Sequence, residues 1–95
     1  MKNKIIVIYI YKMNKVLKTP FIKNTMTKIK IISFTVTSCH IIPFECGTIY
    51  VNFIDENEII YPRSFILSGD EYLDWDSDLY IFNYINESIH TIFDS

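Results

Sequence analysis

The stretch from Ser68 to Phe93, SGDEYLDWDSDLYIFNYINESIHTIF, contains the clearest structural pattern in this chain of 95 residues. Its second half repeats apolar residues at steps of one, three and four, which place them on one face of an α-helix. This apolar face consists of Ile81, Phe82, Ile85, Ile89, Ile92 and Phe93. Polar residues occupy most of the opposite face. The pattern therefore predicts a C-terminal helix that packs on an apolar surface formed by the preceding residues.

Two helix starts are predicted in the same stretch. Ser68 and Glu71 have the spacing of a capping box, in which each side chain binds the backbone N–H of the other residue. A short acidic helical turn would follow. Asp76 or Ser77 would then cap the longer helix, because a side-chain oxygen at this position binds the free N–H groups of the first turn.

Two segments in the middle of the chain have the residue pattern of half-buried β-strands. Apolar and hydroxyl residues alternate over residues 32–37, whereas Ile29 and Ile31 have the opposite parity. This predicts a bulge or a change of partner strand near Ile31 and Ile32. A second strand is predicted over Thr48–Ile54. Ile49, Val51 and Phe53 would face one side of the sheet, and Tyr50, Asn52 and Ile54 the other.

The connections are predicted from residues that favour turns. Ser38–Gly47 contains Pro43 and is predicted to be a loop, and Asp55–Glu58 is predicted to be a tight polar turn. A third strand is predicted to return over Ile59–Leu67. Because Pro62 has no N–H to donate, this strand is expected to be the outermost of the sheet or to be broken at Pro62.

Strands followed by helices predict an α+β fold, a small antiparallel sheet of three or four strands with a C-terminal helix packed on one face. No repeat or long linker divides the chain. We expect a single α+β domain over residues 26–95 and a basic N-terminal strand or arm over residues 1–25.

Within the N-terminal part, Ile5–Tyr11 is a run of β-branched and aromatic residues, which suits a buried strand or an unprotected sheet edge. Lys12–Lys18 has room for one or two helical turns before Pro20. Met13 and Met26 are further candidates for the start of translation. A start at Met26 would remove the basic arm.

The net charge of −2 conceals a strong division along the chain. The first thirty residues contain eight lysines and no acid, whereas the remainder contains eleven acids and one base, Arg63. Such a division favours a charged partner, unless the two parts neutralise one another within the fold or between subunits. Abundant Ile, Asn and Lys indicate an AT-rich genome, such as that of a phage or other mobile element.

The residues that commonly carry chemistry form no recognisable pattern. Cys39, His40, Cys46 and His90 lack the spacing of a zinc site, and no nucleophile elbow or phosphate-binding glycine loop is present. The stretch from Asp74 to Asp78 begins like a calcium loop but lacks its glycine and its final glutamate. We therefore expect a protein that is not an enzyme and that has no cofactor and no metal.

The most distinctive surface feature is a segment in which acids alternate with aromatic residues. We call it the acidic–aromatic segment, and it comprises Asp70, Glu71, Tyr72, Asp74, Trp75, Asp76 and Asp78. Regularly spaced carboxylates can imitate the phosphates of a nucleic acid, and aromatic side chains supply binding energy that charge alone does not. The segment predicts binding to a protein partner with a basic surface. The alternative is that the acids favour helix starts and the aromatic residues lie in the core.

Other partners are weighed from the same residues. An exposed β edge at Ile5–Tyr11 or Ile59–Tyr61 would allow self-association into a homo-oligomer or assembly subunit. The basic arm contains no arginine, which argues against direct nucleic-acid binding. No apolar run reaches the length of a membrane span and no signal-peptide cleavage site is evident, so a cytoplasmic location is expected.

Overall fold

The computed structural model describes residues 7–23 and 28–94, with side chains described from residue 15 onward. Its elements are β1 (Val7–Lys23), β2 (Ile29–Ile42), β3 (Cys46–Asp55), β4 (Ile60–Ser68), α1 (Asp70–Asp74) and α2 (Asp78–Asp94). The strands form one antiparallel sheet in the order β1-β2-β3-β4. The predicted α+β fold, with its C-terminal helix on one face of the sheet, is confirmed. The start of the predicted strand Ile5–Tyr11 and the candidate initiator Met26 lie outside the described residues.

The core lies between the inner face of the sheet and α2. The predicted stripe on the helix is confirmed, since Ile81, Ile85, Ile89, Ile92 and Phe93 are buried. Phe82, at the margin of the stripe, is half-buried, with its ring centroid 6.1 Å from that of Phe34. The sheet supplies every second residue of β3 to the same core. These residues are Ile49, Val51 and Phe53, as predicted.

The predicted bulge in β2 is confirmed as well. The pairing between β2 and β3 shifts between Ile31 and Ser33, so that Ile31 and Phe34 both reach the core. An unbroken alternation would place one of these two residues on the opposite face. The bulge therefore explains how two residues with opposite positions in the alternation can face the same core.

The predicted loop Ser38–Gly47 is wrong for most of its length. β2 continues to Ile42 and β3 begins at Cys46, which leaves only residues 43–45 as a turn. The ladder continues because Cys39 pairs with Ile49 and the backbone of Ile42 pairs with that of Cys46. These long-range backbone pairs outweigh the local turn preference that the sequence displays.

The turn between β3 and β4 is confirmed and contains a buried carboxylate. Asp55 is only 4% exposed, and its Oδ1 accepts hydrogen bonds from the N–H groups of Asn57 at 2.8 Å and Ile59 at 2.9 Å. Its Oδ2 accepts the hydroxyl of Tyr61 at 3.2 Å. Pro62 follows in β4, which is an edge strand as predicted.

The predicted helical turns at Lys12–Lys18 are also wrong, because β1 is extended and pairs with β2 up to Lys23. One or two isolated helical turns are marginal in water, whereas pairing with β2 satisfies the backbone and brings Leu17 into the core. The pairing is irregular between Val16 and Phe21, and Pro20 lies in this irregular part. The division of the chain at residue 25 stays a prediction.

Part of the basic N-terminal region is bound to the acidic C-terminal helix. The Lys18 Nζ donates a hydrogen bond to Asn83 Oδ1 at 2.8 Å, and its backbone N–H donates to Asn86 Oδ1 at 2.8 Å. Lys23 forms an ion pair with Asp94 at the other end of α2. These contacts attach α2 to β1, the outer strand of the sheet.

The predicted capping box at Ser68 is wrong. Ser68 is the last residue of β4 and pairs with Cys46, so the chain leaves the sheet only at Gly69. Gly69 has a φ of 58° and precedes α1 without a side-chain cap. Ser77 directly precedes α2, and its carbonyl accepts the N–H of Tyr80 at 3.2 Å.

Candidate functional site

The acidic–aromatic segment begins with α1, a helix of five residues. The N–H of Leu73 donates to the carbonyl of Gly69 at 3.1 Å, and the N–H of Trp75 donates to that of Tyr72 at 3.3 Å. A helix of this length is not stable in water by itself. Its position must therefore be maintained by contacts with the sheet.

The two aromatic residues of the segment supply those contacts. Trp75 lies over Gly47 of β3, and a Cβ at Gly47 would approach the Trp75 ring to 2.7 Å. The hydroxyl of Tyr72 accepts the backbone N–H of Phe44 at 3.2 Å. Both side chains are half-buried and pack against the core. They therefore attach α1 to the β2–β3 hairpin and also leave part of their surface open.

The five carboxylates of the segment are exposed, namely those of Asp70, Glu71, Asp74, Asp76 and Asp78. Among the described side chains, those of residues 15–23 and 28–94, none of them forms an ion pair. Their negative charge is therefore available to a partner, and it is concentrated at one end of the helical layer.

Two tyrosines of α2 are influenced by these acids. Burial raises the pKa of Tyr84, and a hydrogen bond to Glu71 together with its charge raises that pKa further. Burial also raises the pKa of Tyr80, with added effects from the charges of Asp74 and Glu71. Glu71 thus turns toward α2 and is the member of the segment least available to a partner.

Phe44, which no sequence pattern singles out, is the most unusual residue beside the segment. It lies in the β2–β3 turn, is 97% exposed and has a φ of 65°. A left-handed backbone costs roughly 1–2 kcal/mol for a residue with a side chain, and glycine is usual at such a position. The turn sequence Pro43-Phe44-Glu45 contains no glycine, so only the backbone of the folded protein reveals this strain.

Phe44 and α1 enclose a shallow groove of about 380 Å³. It is lined by Ile41, Phe44, Tyr72, Leu73 and Trp75, and we call it the Phe44 groove. Leu73 is 75% exposed at its border. Asp70 precedes Leu73 by three residues on α1, a spacing that places its carboxylate beside the Leu73 side chain. Asp74 is the last residue of the same short helix.

The remaining acids of the segment lie elsewhere. Asp78 lines a second groove of about 270 Å³, together with Lys15, Leu79 and Phe82. The structure thus brings Tyr72 and Trp75 to one groove, with Asp70 and Asp74 on the same short helix. It turns Glu71 toward α2 and places Asp78 at another groove. Asp76 lies in the exposed link between the two helices.

The two cysteines are free and lie on opposite faces of the sheet. Cys39 is buried, and burial raises the pKa of its thiol from 9.0 to about 11. Within the described part of the chain, no three His, Cys, Asp or Glu side chains are grouped closely enough to hold a metal ion. No helix among the described residues has the length and apolar character needed to cross a membrane.

Comparison of the chain with protein-family models, with curated proteins and with solved structures finds no match. Any function must therefore be argued from the residues and geometry of this chain alone.

Proposed function

We propose that the protein is a small non-enzymatic binding protein that engages a protein partner with a basic surface through the Phe44 groove and its acidic border. The observation that carries the proposal is Phe44, an almost fully exposed aromatic side chain on a strained backbone beside that groove. Backbone strain of this kind is concentrated at functional positions.

The chemistry of the partner follows from the groove and its border. Phe44 and Leu73 present exposed apolar surface, and interfaces derive much of their energy from a few such side chains surrounded by polar contacts. Asp70 and Asp74, exposed on the same short helix as Leu73, favour lysine or arginine on the partner and increase the rate of association. The partner would therefore present basic side chains around an apolar one.

The mechanism would be occlusion of the partner's basic surface. Exposed carboxylates along Asp70–Asp78 can take the places of phosphates in a basic groove, as an inhibitor or a nucleic-acid mimic does. Such a role needs no catalytic group and no cofactor. It agrees with a cytoplasmic protein of a phage or other mobile element, an origin that rests on composition alone.

The test begins with a partner captured on the full chain from cells of its source and then purified. Replacing Asp70 and Asp74 by lysine should weaken the affinity about tenfold or more, because two attractive contacts become repulsive. The matched control replaces Glu56 and Glu58 by lysine in the distant β3–β4 turn, which changes the net charge equally. Added salt should also weaken the wild-type complex.

The proposal is wrong if the two charge-reversal variants bind the partner equally well, or if binding is insensitive to salt. Substitution of Phe44 by serine provides an independent measurement. This substitution should change the association rate little, because the charges stay in place. It should increase the dissociation rate, because apolar contact is removed.

A second candidate function is assembly through an exposed β edge. β1 and β4 are the outer strands of the sheet, and Ile59 and Ile60 are exposed at the start of β4. Pro62 removes one donor from that edge, which limits its pairing with another strand. Sedimentation of the full chain tests this candidate, since growth into long assemblies would support it and a strict monomer would exclude it.

A further inference from the structure

The two faces of the sheet differ in what covers them. α2 packs on the inner face, whereas within the described residues no element covers the other face of β2–β4. We call this the open face. The register places it between the Ile54–Ile60 pair at one end and the Cys46–Ser68 pair at the other.

Between residues 33 and 68, the open face carries no Asp, Glu or Lys side chain, and its histidine, His40, has its ring centroid 4.7 Å from that of Tyr50. Five charged residues occur in this range, and three of them, Glu45, Glu56 and Glu58, lie in turns. Of the other two, Asp55 is buried on the inner face, and Arg63 Nε donates to the carbonyl of Phe93 at 2.8 Å. Arg63 borders the open face only at its edge, beside Ser64. In a chain with eleven acids, this neutral face is a specific feature.

The same face exposes large apolar side chains. Ile66 is 59% exposed, Ile60 54% and Tyr50 36%. The polar residues that share this face, such as Thr48, Asn52 and Ser64, are uncharged. Depletion of charge together with exposed apolar and tyrosine side chains is typical of the centre of a protein interface.

We infer that a second copy of this chain packs on the open face, so that two sheets form a symmetric sandwich. A two-fold interface brings each surface against itself, and an acidic surface would then suffer like-charge repulsion. The neutral open face avoids that repulsion. Face-to-face packing of two twisted sheets aligns their strands within about 30°.

The area of the face reaches the lower limit of a specific interface. With about 4.8 Å between strands and about 3.3 Å per residue, three strands of nine residues cover about 14 Å by 30 Å. Two such faces have a flat area of about 840 Å², and their protruding side chains raise the buried surface to about 1,000 Å². This inference does not depend on the proposed function. The Phe44 groove lies beside α1, away from the open face, and remains open in both copies.

The experiment measures the mass of the full chain in solution by sedimentation over a series of concentrations. The wild-type protein should be a dimer. Replacement of Ile66 by lysine should weaken dimerisation about tenfold or more, because it places a charge near its own copy in an apolar interface. Replacement of Tyr50 by glutamate should also weaken dimerisation. Both residues are partly exposed, so circular dichroism should show that both variants fold.

The matched control is Leu73→Lys, a comparably exposed leucine of α1 on the Phe44 groove, which should leave the dimer unchanged. The inference is overturned if the wild-type chain is a monomer at every concentration. It is also overturned if the dimer survives both Ile66→Lys and Tyr50→Glu, the result expected from pairing through the backbone of a β edge.

Discussion

Asp55 illustrates at the scale of one residue how the β3–β4 turn is specified. Its buried carboxylate accepts hydrogen bonds from two backbone N–H groups and from the hydroxyl of Tyr61. Replacement by alanine leaves those donors without an acceptor and should lower the free energy of unfolding by about 2–3 kcal/mol. Urea denaturation measures this change. Glu56→Ala in the same turn is the control and should change stability by less than about 0.5 kcal/mol.

Phe44 is expected to show a conflict between stability and binding. Phe44→Gly relieves the left-handed backbone and should raise the free energy of unfolding by about 0.5–1 kcal/mol, even though glycine costs chain entropy. The same substitution should weaken the proposed complex. Glu58 also has a φ of 65°, so Glu58→Gly is a matched control that should stabilise the protein and leave binding unchanged.

If Phe44→Gly destabilises the protein, the backbone at this position is not strained, and the argument for a functional Phe44 loses its basis. Calorimetry of the two glycine variants beside the wild-type chain decides this point without knowledge of the partner.

Cys39 should make stability depend on alkaline pH. Its pKa is about 11 in the folded protein and 9.0 ordinarily, so the folded state retains the proton more strongly than the unfolded state. Stability from this group is complete below the unfolded pKa of 9.0 and is lost as the pH rises toward 11. Denaturant unfolding at several pH values measures the loss.

The control for this pH dependence is Cys39→Val, which keeps an apolar side chain of similar size but removes the titrating thiol. Burial also raises the pKa values of Tyr61, Tyr80 and Tyr84, so both proteins should lose stability in alkali. The free energy of unfolding should fall more in the wild-type protein than in Cys39→Val. Equal curves for both proteins would contradict the assignment to Cys39.

At the scale of an element, α1 depends on the sheet for its structure. Trp75 occupies the space that a side chain at Gly47 would need. Gly47→Ala should displace the indole toward solvent, shift the fluorescence of this single tryptophan to longer wavelength and cost about 1–3 kcal/mol. An unchanged spectrum would mean that Trp75 does not rest on Gly47. Ser68→Ala should leave the spectrum unchanged, because Ser68 does not cap α1.

At the scale of the whole molecule, β1 contributes to a core that is otherwise formed by later residues. Leu17 is buried, and the ring centroid of Phe21 lies 5.5 Å from that of Phe93 in α2. A chain of residues 26–95 should therefore unfold at a lower temperature, with a loss of about 3 kcal/mol or more, since even one buried leucine contributes about 2–5 kcal/mol. An unchanged melting temperature would show that β1 is only an extension.

The amount that could be read from the sequence differs between elements for a physical reason. The stripe of α2 and the inward residues of β3 follow from side-chain periods of 3.6 and 2, which a single element displays by itself. The bulge beside Ile31 also appears as a local break in alternation. By contrast, the helical turns expected at Lys12–Lys18 and the cap expected at Ser68 were wrong, because backbone pairing with a distant strand replaced a weak local preference.

The candidate site follows the same division. The order of residues along the chain determines that negative charge collects near the helix starts, because the acids concerned are close neighbours in the sequence. Folding alone joins Phe44 to Leu73, twenty-nine positions later, and turns Glu71 away toward α2. It also makes one sheet face neutral, because that face combines alternate residues of strands whose register is set by hydrogen bonds between them. Short-range order is encoded locally, whereas a surface is assembled from residues that meet only when the core forms.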